Sequence, residues 1–386
     1  MQKTSSFKFS SDDYRALLRL IRTPRIGPIA CRNLLSRYVS PQEALKAVPT
    51  LARRGGGNAP PLASEKAIES EIAKVKTLGG RYIFQGSPYY PPLLAQLDNA
   101  PPVLIVKGNP KLLQKPAIAM VGARNASAAA MRFAHDLSHQ LTEKGYLVIS
   151  GLARGIDTAA HQGAGTKKTI AVIAGGIDSI YPPENADLQQ KISEQGLLVS
   201  EMPPATEPKA RHFPARNRII AGIALGVVVA EASPKSGSLI TAKLATNIGR
   251  EVMAIPGFPM DSRSHGCNQL IREGATLIQS SDDIIEAVAL LSEVYQTSPT
   301  EKEQFSSSDH LHSNPIAYKP PAILCDIREK DRKTIQSLIG SAPIIVDELI
   351  RQSGLESAII QTVLLELELA GRLERHAGGR ISLILG

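Results

Sequence analysis

The sequence predicts an α/β protein: an extended Rossmann-like, mostly parallel sheet, preceded by a small helical module of the helix-hairpin-helix or SAM-like kind and followed by a winged-helix domain. Three observations carry this prediction. Between residues 82 and 292, short apolar runs rich in β-branched residues alternate with stretches of helical length. That alternation builds a parallel sheet covered by helices on both faces. Near the N-terminus a glycine-proline turn splits two apolar helical stretches, and at the other end three helical stretches precede a glycine-centred hairpin.

Composition sets the outer limits. The chain has 386 residues, 43% hydrophobic and 21% charged, which is ordinary for a globular protein of two or three domains. No apolar run reaches the ~20 residues of a membrane helix, and MQKTSSFKFSSDD lacks the apolar core of a secretory signal. A cytoplasmic protein without membrane contact is the expectation. Cys31, Cys267 and Cys325 lie far apart, a spacing that suggests neither a disulfide framework nor a zinc site. A net charge of +8 makes a polyanion a plausible partner class without choosing the ligand.

Taken in order, residues 1–77 form the helical module. LLRLIRTPRIGPIACRNLLSRY places helices on either side of Ile26-Gly27-Pro28, with Gly27 permitting a sharp turn and Pro28 suited to a helix start. Such hairpins hold nucleic-acid backbones through turn N–H groups, here with Arg22, Arg25 and Arg32 nearby; a helical packing module with solvated arginines is the equal alternative. The run RRGGGNAPP, residues 53–61, reads as an exposed loop or hinge.

The second domain is expected over 82–292. Strands are expected at 117–121, 146–150, 169–174, 197–201, 227–231 and 251–255, with a weaker one at 276–279; helices are expected at 127–143, 156–163, 184–195 and 238–248. In a parallel sheet the C-terminal strand ends share one edge, where ligands bind. These ends carry small-residue turns: Gly122-Ala123-Arg124-Asn125, Ser150-Gly151 with Arg154-Gly155, Gly175-Gly176, and Ser233–Ser238. Glycine and serine let backbone N–H groups approach a ligand closely, helix starts favour anions, and the arginines add positive charge. Before the 227–231 strand, KARHFPARNRIIAG sets Lys209, Arg211, Arg216 and Arg218 around Phe213, pairing cations for a backbone with an aromatic face for a base. The competing reading makes Phe213 a core residue and bridges Arg216 to an acidic residue such as Glu231.

Four blocks carry a family resemblance. GARNAS (122–127), SGLARGIDTAAH (150–161), FPARNRIIAG (213–222) and SGSLITAKLA (236–245) resemble the signature blocks of the DNA-processing protein A family, DprA or Smf, and YYPPLLAQLDNAPPVLIVKGN (89–109) is similar to that family's entry into its Rossmann-like domain. The resemblance implies a protein without known catalytic activity, and no cofactor is expected. Such a protein binds single-stranded DNA, protects it during natural transformation and loads RecA recombinase onto it, commonly as a homodimer. By motif match, Gly122, Ala123 and Arg124 would contribute to a phosphate pocket, with Ser150, Gly151 and Gly155 in the adjacent turn, where Arg154 is a candidate through its charge. Phe213, Arg216, Asn217 and Arg218 would fall in the binding groove, and Ser236, Gly237, Ser238 and Lys243 at its far wall. Lys209 and Lys243 rest mainly on charge and neighbourhood, and Arg216 and Arg218 have a structural alternative.

An enzyme of the lysine-decarboxylase-like, nucleotide-processing group is the second reading, since Asp157, Asp178, His161 and Glu231 could supply acid or base. The chain lacks the PGGxGT-type run of those enzymes and any GxxxxGK[ST] phosphate loop. Asp157 reads better as a helix cap and His161 as a satisfied buried histidine.

Residues 293–321 are polar and rich in serine and proline, the composition of a flexible linker. The domain at 322–386 should follow with helices at 331–339, 345–352 and 356–370 and a hairpin around Ala377-Gly378-Gly379. Its third helix, ESAIIQTVLLELELA, holds Glu356, Glu366 and Glu368 and neither lysine nor arginine. Carboxylates facing phosphates repel, so this helix should contact protein or pack on its own chain, leaving Arg372, Arg375 and Arg380 of the wing as the basic exception.

Overall fold

The computed structural model describes residues 10–296, 327–376 and 378–384. The chain opens with α1 (Ser11–Arg22), α2 (Pro28–Leu35), α3 (Pro41–Arg54) and α4 (Glu65–Thr77). Next come β1 (Arg81–Phe84), α5 (Pro92–Ala95), β2 (Val103–Gly108), β3 (Ala117–Val121), α6 (Ala128–Glu143), β4 (Leu147–Ser150), α7 (Ile156–Ala164) and β5 (Thr169–Val172). They are followed by α8 (Ala186–Gln195), β6 (Leu197–Ser200), α9 (His212–Ile223), β7 (Gly226–Val229), α10 (Gly237–Asn247), β8 (Glu251–Ala254), α11 (His265–Arg272), β9 (Thr276–Leu277) and α12 (Ser281–Gln296). The last part contains α13 (Glu329–Leu338), β10 (Ile344–Ile345), α14 (Val346–Ser353), α15 (Ser357–Leu369), β11 (Leu373–His376) and β12 (Arg380–Leu383). The chain divides into two compact units: residues 71–313, and a unit built from both ends, 1–70 with 314–386.

The larger unit is a nine-stranded sheet in the order β1-β2-β6-β5-β4-β3-β7-β8-β9. From β6 to β9 every neighbouring pair is parallel, with Ala119 of β3 set between Ile149 and Val227. Every residue of β3 to β7 is buried, as continuous apolar strands require when helices cover both faces. The two-residue period sorts β3 between the layers, with Ala117, Ala119 and Val121 in one core and Ile118 and Met120 in the other.

Two features of this sheet differ from expectation. β2 pairs antiparallel with β6, and β1 antiparallel with β2, extending the sheet at one edge. Direction leaves no trace in a short apolar run such as VLIV, so neither strand was foreseen. α12 also continues to Gln296, four residues into the expected linker; the rest of that linker, 297–321, lies outside the described residues. The strand order has the larger consequence for function. From β3 the chain moves outward through β4, β5 and β6, then returns to lay β7 on the other side of β3. The C-terminal ends of β3 and β7 therefore flank a topological switch point, where doubly wound sheets leave a crevice.

In the smaller unit, α1 starts with a capping box between Ser10 and Asp13 and buries Tyr14, Leu17, Leu18 and Leu20. Pro28 occupies the first turn of α2, but the sharp residue of the hairpin turn is Arg25, at φ 67°, whereas Gly27 is extended at φ −81°. The winged-helix part packs α13, α14 and α15 on a three-stranded sheet, β10-β12-β11, around Ile335, Ile360, Val363, Leu364, Leu367 and Ile381.

The opposite face of α15 is buried as well. Leu365 and Leu369 are wholly covered, and the helix packs on α2 and α3. The 53–61 run is therefore no free loop: a Cβ on Gly55 would stand 2.1 Å from the Glu366 carbonyl oxygen, and one on Gly57 would stand 2.3 Å from that of Ala370. Glycine is needed there because two backbones touch. Arg25 donates from Nη1 to the Leu369 and Asn58 carbonyls (3.3 and 3.0 Å), and Arg372 donates to the Gly55 carbonyl (3.3 Å). Buried Glu366 is paired with Arg332 at 2.9 Å. The third helix of the winged-helix fold thus packs on its own chain.

Candidate nucleic-acid interface

The cleft lies at the switch point. It encloses about 570 Å³, and its lining comes from five places: 121–125 after β3, Ala153 and Asp157 at the start of α7, Phe213 to Ile220 on α9, 233–241 leading into α10, and Arg263 after β8. Three helices begin around it. Ser127 caps α6 by accepting from the Ala130 N–H, Gly155 precedes α7, and Ser236 caps α10. Their partial positive ends add to Arg124, Arg216 and Arg263 in the lining.

Arg124 is exposed, and its guanidinium stands 5.4 Å from the centre of the Phe213 ring. Arg216 stands 5.8 Å from the same centre, and Tyr181 meets that ring edge-on at 5.7 Å. Phe213 is half-buried, so it orders two cations beside the cleft instead of filling the core. Arg216 itself is buried and donates to the Val172 carbonyl at 3.3 Å. Burial pulls its guanidinium down to about 10, against the opposing pull of Asp157. Among the described residues its buried Nε has no hydrogen-bond partner.

The pairing of Arg216 with Glu231 does not occur. Glu231 instead accepts from the backbone N–H and hydroxyl of Ser127 (3.2 and 2.7 Å), bracing the start of α6. Asp157 accepts the Gly151 and Ala153 N–H groups at 3.1 and 3.2 Å, so it staples the turn before α7. Burial raises its pKa, and Arg216 and those N–H groups oppose the rise. His161 bonds Thr169 Oγ1 through Nδ1 at 2.7 Å, but among the described residues its buried Nε2 has no partner, so it is only half satisfied. Burial, then Arg216, drives its pKa down to about 3. Asp178 pairs with Lys74 at 2.9 Å and accepts the Ala205 N–H.

The structure brings Gly122, Ala123, Arg124, Phe213, Arg216, Asn217, Ser236, Gly237 and Ser238 into one cleft lining. The other expected residues stand outside that lining. Ser150 is buried and donates to the Met120 carbonyl at 2.6 Å. Gly151 gives the Arg216 guanidinium its room, and Gly155, at φ 73°, lets the turn pass the Ala123 carbonyl. Arg154 is ion-paired with Glu184. Arg218 is bound by Glu201 through both carboxylate oxygens at 2.6 Å and donates to the Asn99 carbonyl, a structural role. Lys209 is exposed just before α9, its N–H bonded to His212 Nδ1. Lys243 lines a different cavity, with Leu239, His265 and Arg272.

Sequence reading missed Arg263, Ile240 and Thr241 of the cleft lining. Arg263 had no detectable signal, since Asp261 two residues earlier makes it look like an internally neutralised loop; the two do pair, at 2.8 Å. Ile240 and Thr241 follow from the phase of α10 once Gly237 is known to face the cleft.

Comparison with known proteins places this architecture. The profile described as DNA recombination-mediator protein A matches residues 81–289. The chain belongs to the DprA/Smf family. Two further DprA profiles match its flanks, the DprA-like N-terminal HHH domain over 11–73 and the DprA winged helix domain over 319–379. Protein Smf of Synechocystis is 31% identical over 92% of this chain and 95% of its own length. DNA processing protein DprA of Streptococcus pneumoniae is 47% identical over 51% of this chain and 70% of its own. The X-ray structure of that pneumococcal DprA covers 72% of this chain and 98% of its own at a TM-score of 0.59 and 34% identity. A Helicobacter pylori DNA processing protein A structure, described for its single-stranded DNA binding mode, covers 55% of this chain and 96% of its own at TM-score 0.50 and 28% identity.

Proposed function

We propose that this DprA/Smf protein binds single-stranded DNA in the switch-point cleft, without making or breaking bonds. The observation that carries the reading is the convergence of Arg124, Arg216 and Arg263 with three helix starts around a half-exposed phenylalanine. Cations and N–H groups suit a run of phosphates, and an aromatic edge suits unstacked bases of any sequence. The structure of the Helicobacter pylori relative supports the choice of a single strand. Protection of incoming DNA during natural transformation, loading of RecA recombinase and a homodimeric state belong to the same proposal, on the strength of the family. Dimerisation would double the binding surface along one strand and raise avidity.

The nucleotide-processing enzyme has less support. Asp157, Glu231 and Asp178 are each engaged by backbone N–H groups or side chains, and His161 is sealed in the core.

Fluorescence anisotropy of a labelled single-stranded oligonucleotide over a salt series tests the proposal. Arg124→Ala should weaken binding and flatten the dependence of log affinity on log salt by about 0.7 for each phosphate that is no longer neutralised. Wild-type affinity that ignores salt, or a mutant indistinguishable from wild type, would place the DNA elsewhere.

A further inference from the structure

We propose that the loop between β8 and α11, residues 256–264, is a second nucleic-acid contact, in which Phe258 stacks on a base of a strand whose phosphates follow Arg263 into the cleft. The inference rests on the single-strand reading above. Phe258 is 70% exposed and Met260 82%, an apolar pair held in water on a short loop.

The loop is braced on every side. The Asn268 side-chain amide accepts the Gly257 N–H and donates to the Gly257 carbonyl, at 3.1 and 3.0 Å. A side chain at Gly257 would begin 2.1 Å from Ser264 Oγ, so glycine is required for the loop to fold on itself. Asp261 donates its N–H to the Phe258 carbonyl and accepts from Arg263 through both carboxylate oxygens, while His265 meets the Pro259 carbonyl at 2.8 Å. A loop this well fixed presents its aromatic ring at low conformational cost, the condition under which stacking yields affinity. Its other end supplies Arg263 to the cleft, where Ile240, itself 46% exposed, adds an apolar patch. One loop therefore carries a guanidinium in the cleft lining, paired with Asp261 and 3.9 Å from Glu231, and an aromatic group outside it. That pairing of charge and ring is the means by which single-strand binders track a backbone while stacking its bases.

The test compares an ordinary oligonucleotide with one of equal length made of abasic sugar-phosphate, using full-length protein carrying Phe258→Ala, Phe258→Trp, Met260→Ala or Arg263→Ala. Phe258→Ala should lose roughly 5- to 150-fold in affinity for the base-bearing strand and nothing for the abasic one, the range expected from one stacked base. Phe258→Trp should restore binding, and Arg263→Ala should weaken both strands and reduce the salt slope. Thermal melting of Phe258→Ala should match wild type, since an exposed ring supports little of the fold. Equal losses on both strands, or Phe258→Ala binding like wild type while Arg124→Ala fails, would overturn the inference and leave the cleft in place. Loss of self-association with DNA binding intact would overturn it too, and would assign the loop to a second copy of the chain. Wild type that binds neither strand would overturn both this inference and the reading beneath it.

Discussion

The guanidinium of Arg216 occupies the space where a side chain at residue 151 would have to begin: a Cβ on Gly151 would stand 1.4 Å from Arg216 Nη1. Gly151→Ala should therefore expel Arg216 from its place against Phe213 and the Val172 carbonyl. Overpacking of this kind costs about 1–3 kcal/mol, read from urea denaturation. Single-strand affinity should fall as well, because Arg216 leaves the cleft lining.

Arg218 and Lys243 should separate structure from binding. Arg218→Ala removes the guanidinium that both Glu201 carboxylate oxygens hold in a partly buried site and should destabilise the fold by about 2 kcal/mol. Its folded fraction should still bind single-stranded DNA with wild-type affinity. Lys243→Ala should change neither stability nor affinity, since its cavity is separate from the cleft. A strong binding loss in either variant would extend the DNA path beyond the switch point.

Gly55→Val sets branched carbon against the backbone of α15 and should weaken the packing of that helix on α3. Hydrogen exchange is the direct measure. Amides of α15 and α3 should lose protection, while those of β3, β4 and β7 keep theirs.

Acid should destabilise the protein partly through His161. Its pKa falls from 6.5 in the unfolded chain to about 3 when buried. Between those values the unfolded state binds a proton that the folded state refuses, so stability rises with pH across the window and is lost as pH drops through it. The slope from this one group is ~1.4 kcal/mol per pH unit. His161→Gln should flatten that limb of a stability-versus-pH curve by about one proton.

Much of the central sheet was legible because buried parallel strands are continuous apolar runs, and Ile118, Ile149, Ile170 and Val228 declare them. The small residues of the strand-end turns marked the edge at which the switch-point cleft opens. The order of the strands was not legible: nothing in GVVV says that it lies against β3 rather than β6, and so the switch point had to be seen. Helical phase explains Lys243. It follows Gly237 by six residues, which puts it ~9 Å along the axis and more than 100° round from the cleft-facing side. The glycines of the 53–61 run carry two meanings in sequence, a free loop or an approach too close for side chains, and only the position of α15 chooses between them.

The docking of α15 onto α3 bears on how the chain is made. Arg372 and Gly55, joined by a hydrogen bond, are 317 positions apart. A ribosome adding roughly 5–20 residues per second exposes the N-terminal helices tens of seconds before their partner emerges. During that interval the surface destined for Leu365 and Leu369 faces water or a chaperone, while residues 71–313 already contain all the strands of their sheet. The N-terminal helices are thus completed by a helix made much later, and slowing translation of residues 327–384 should lengthen the exposure of α1 to α3 to proteolysis before it affects the sheet.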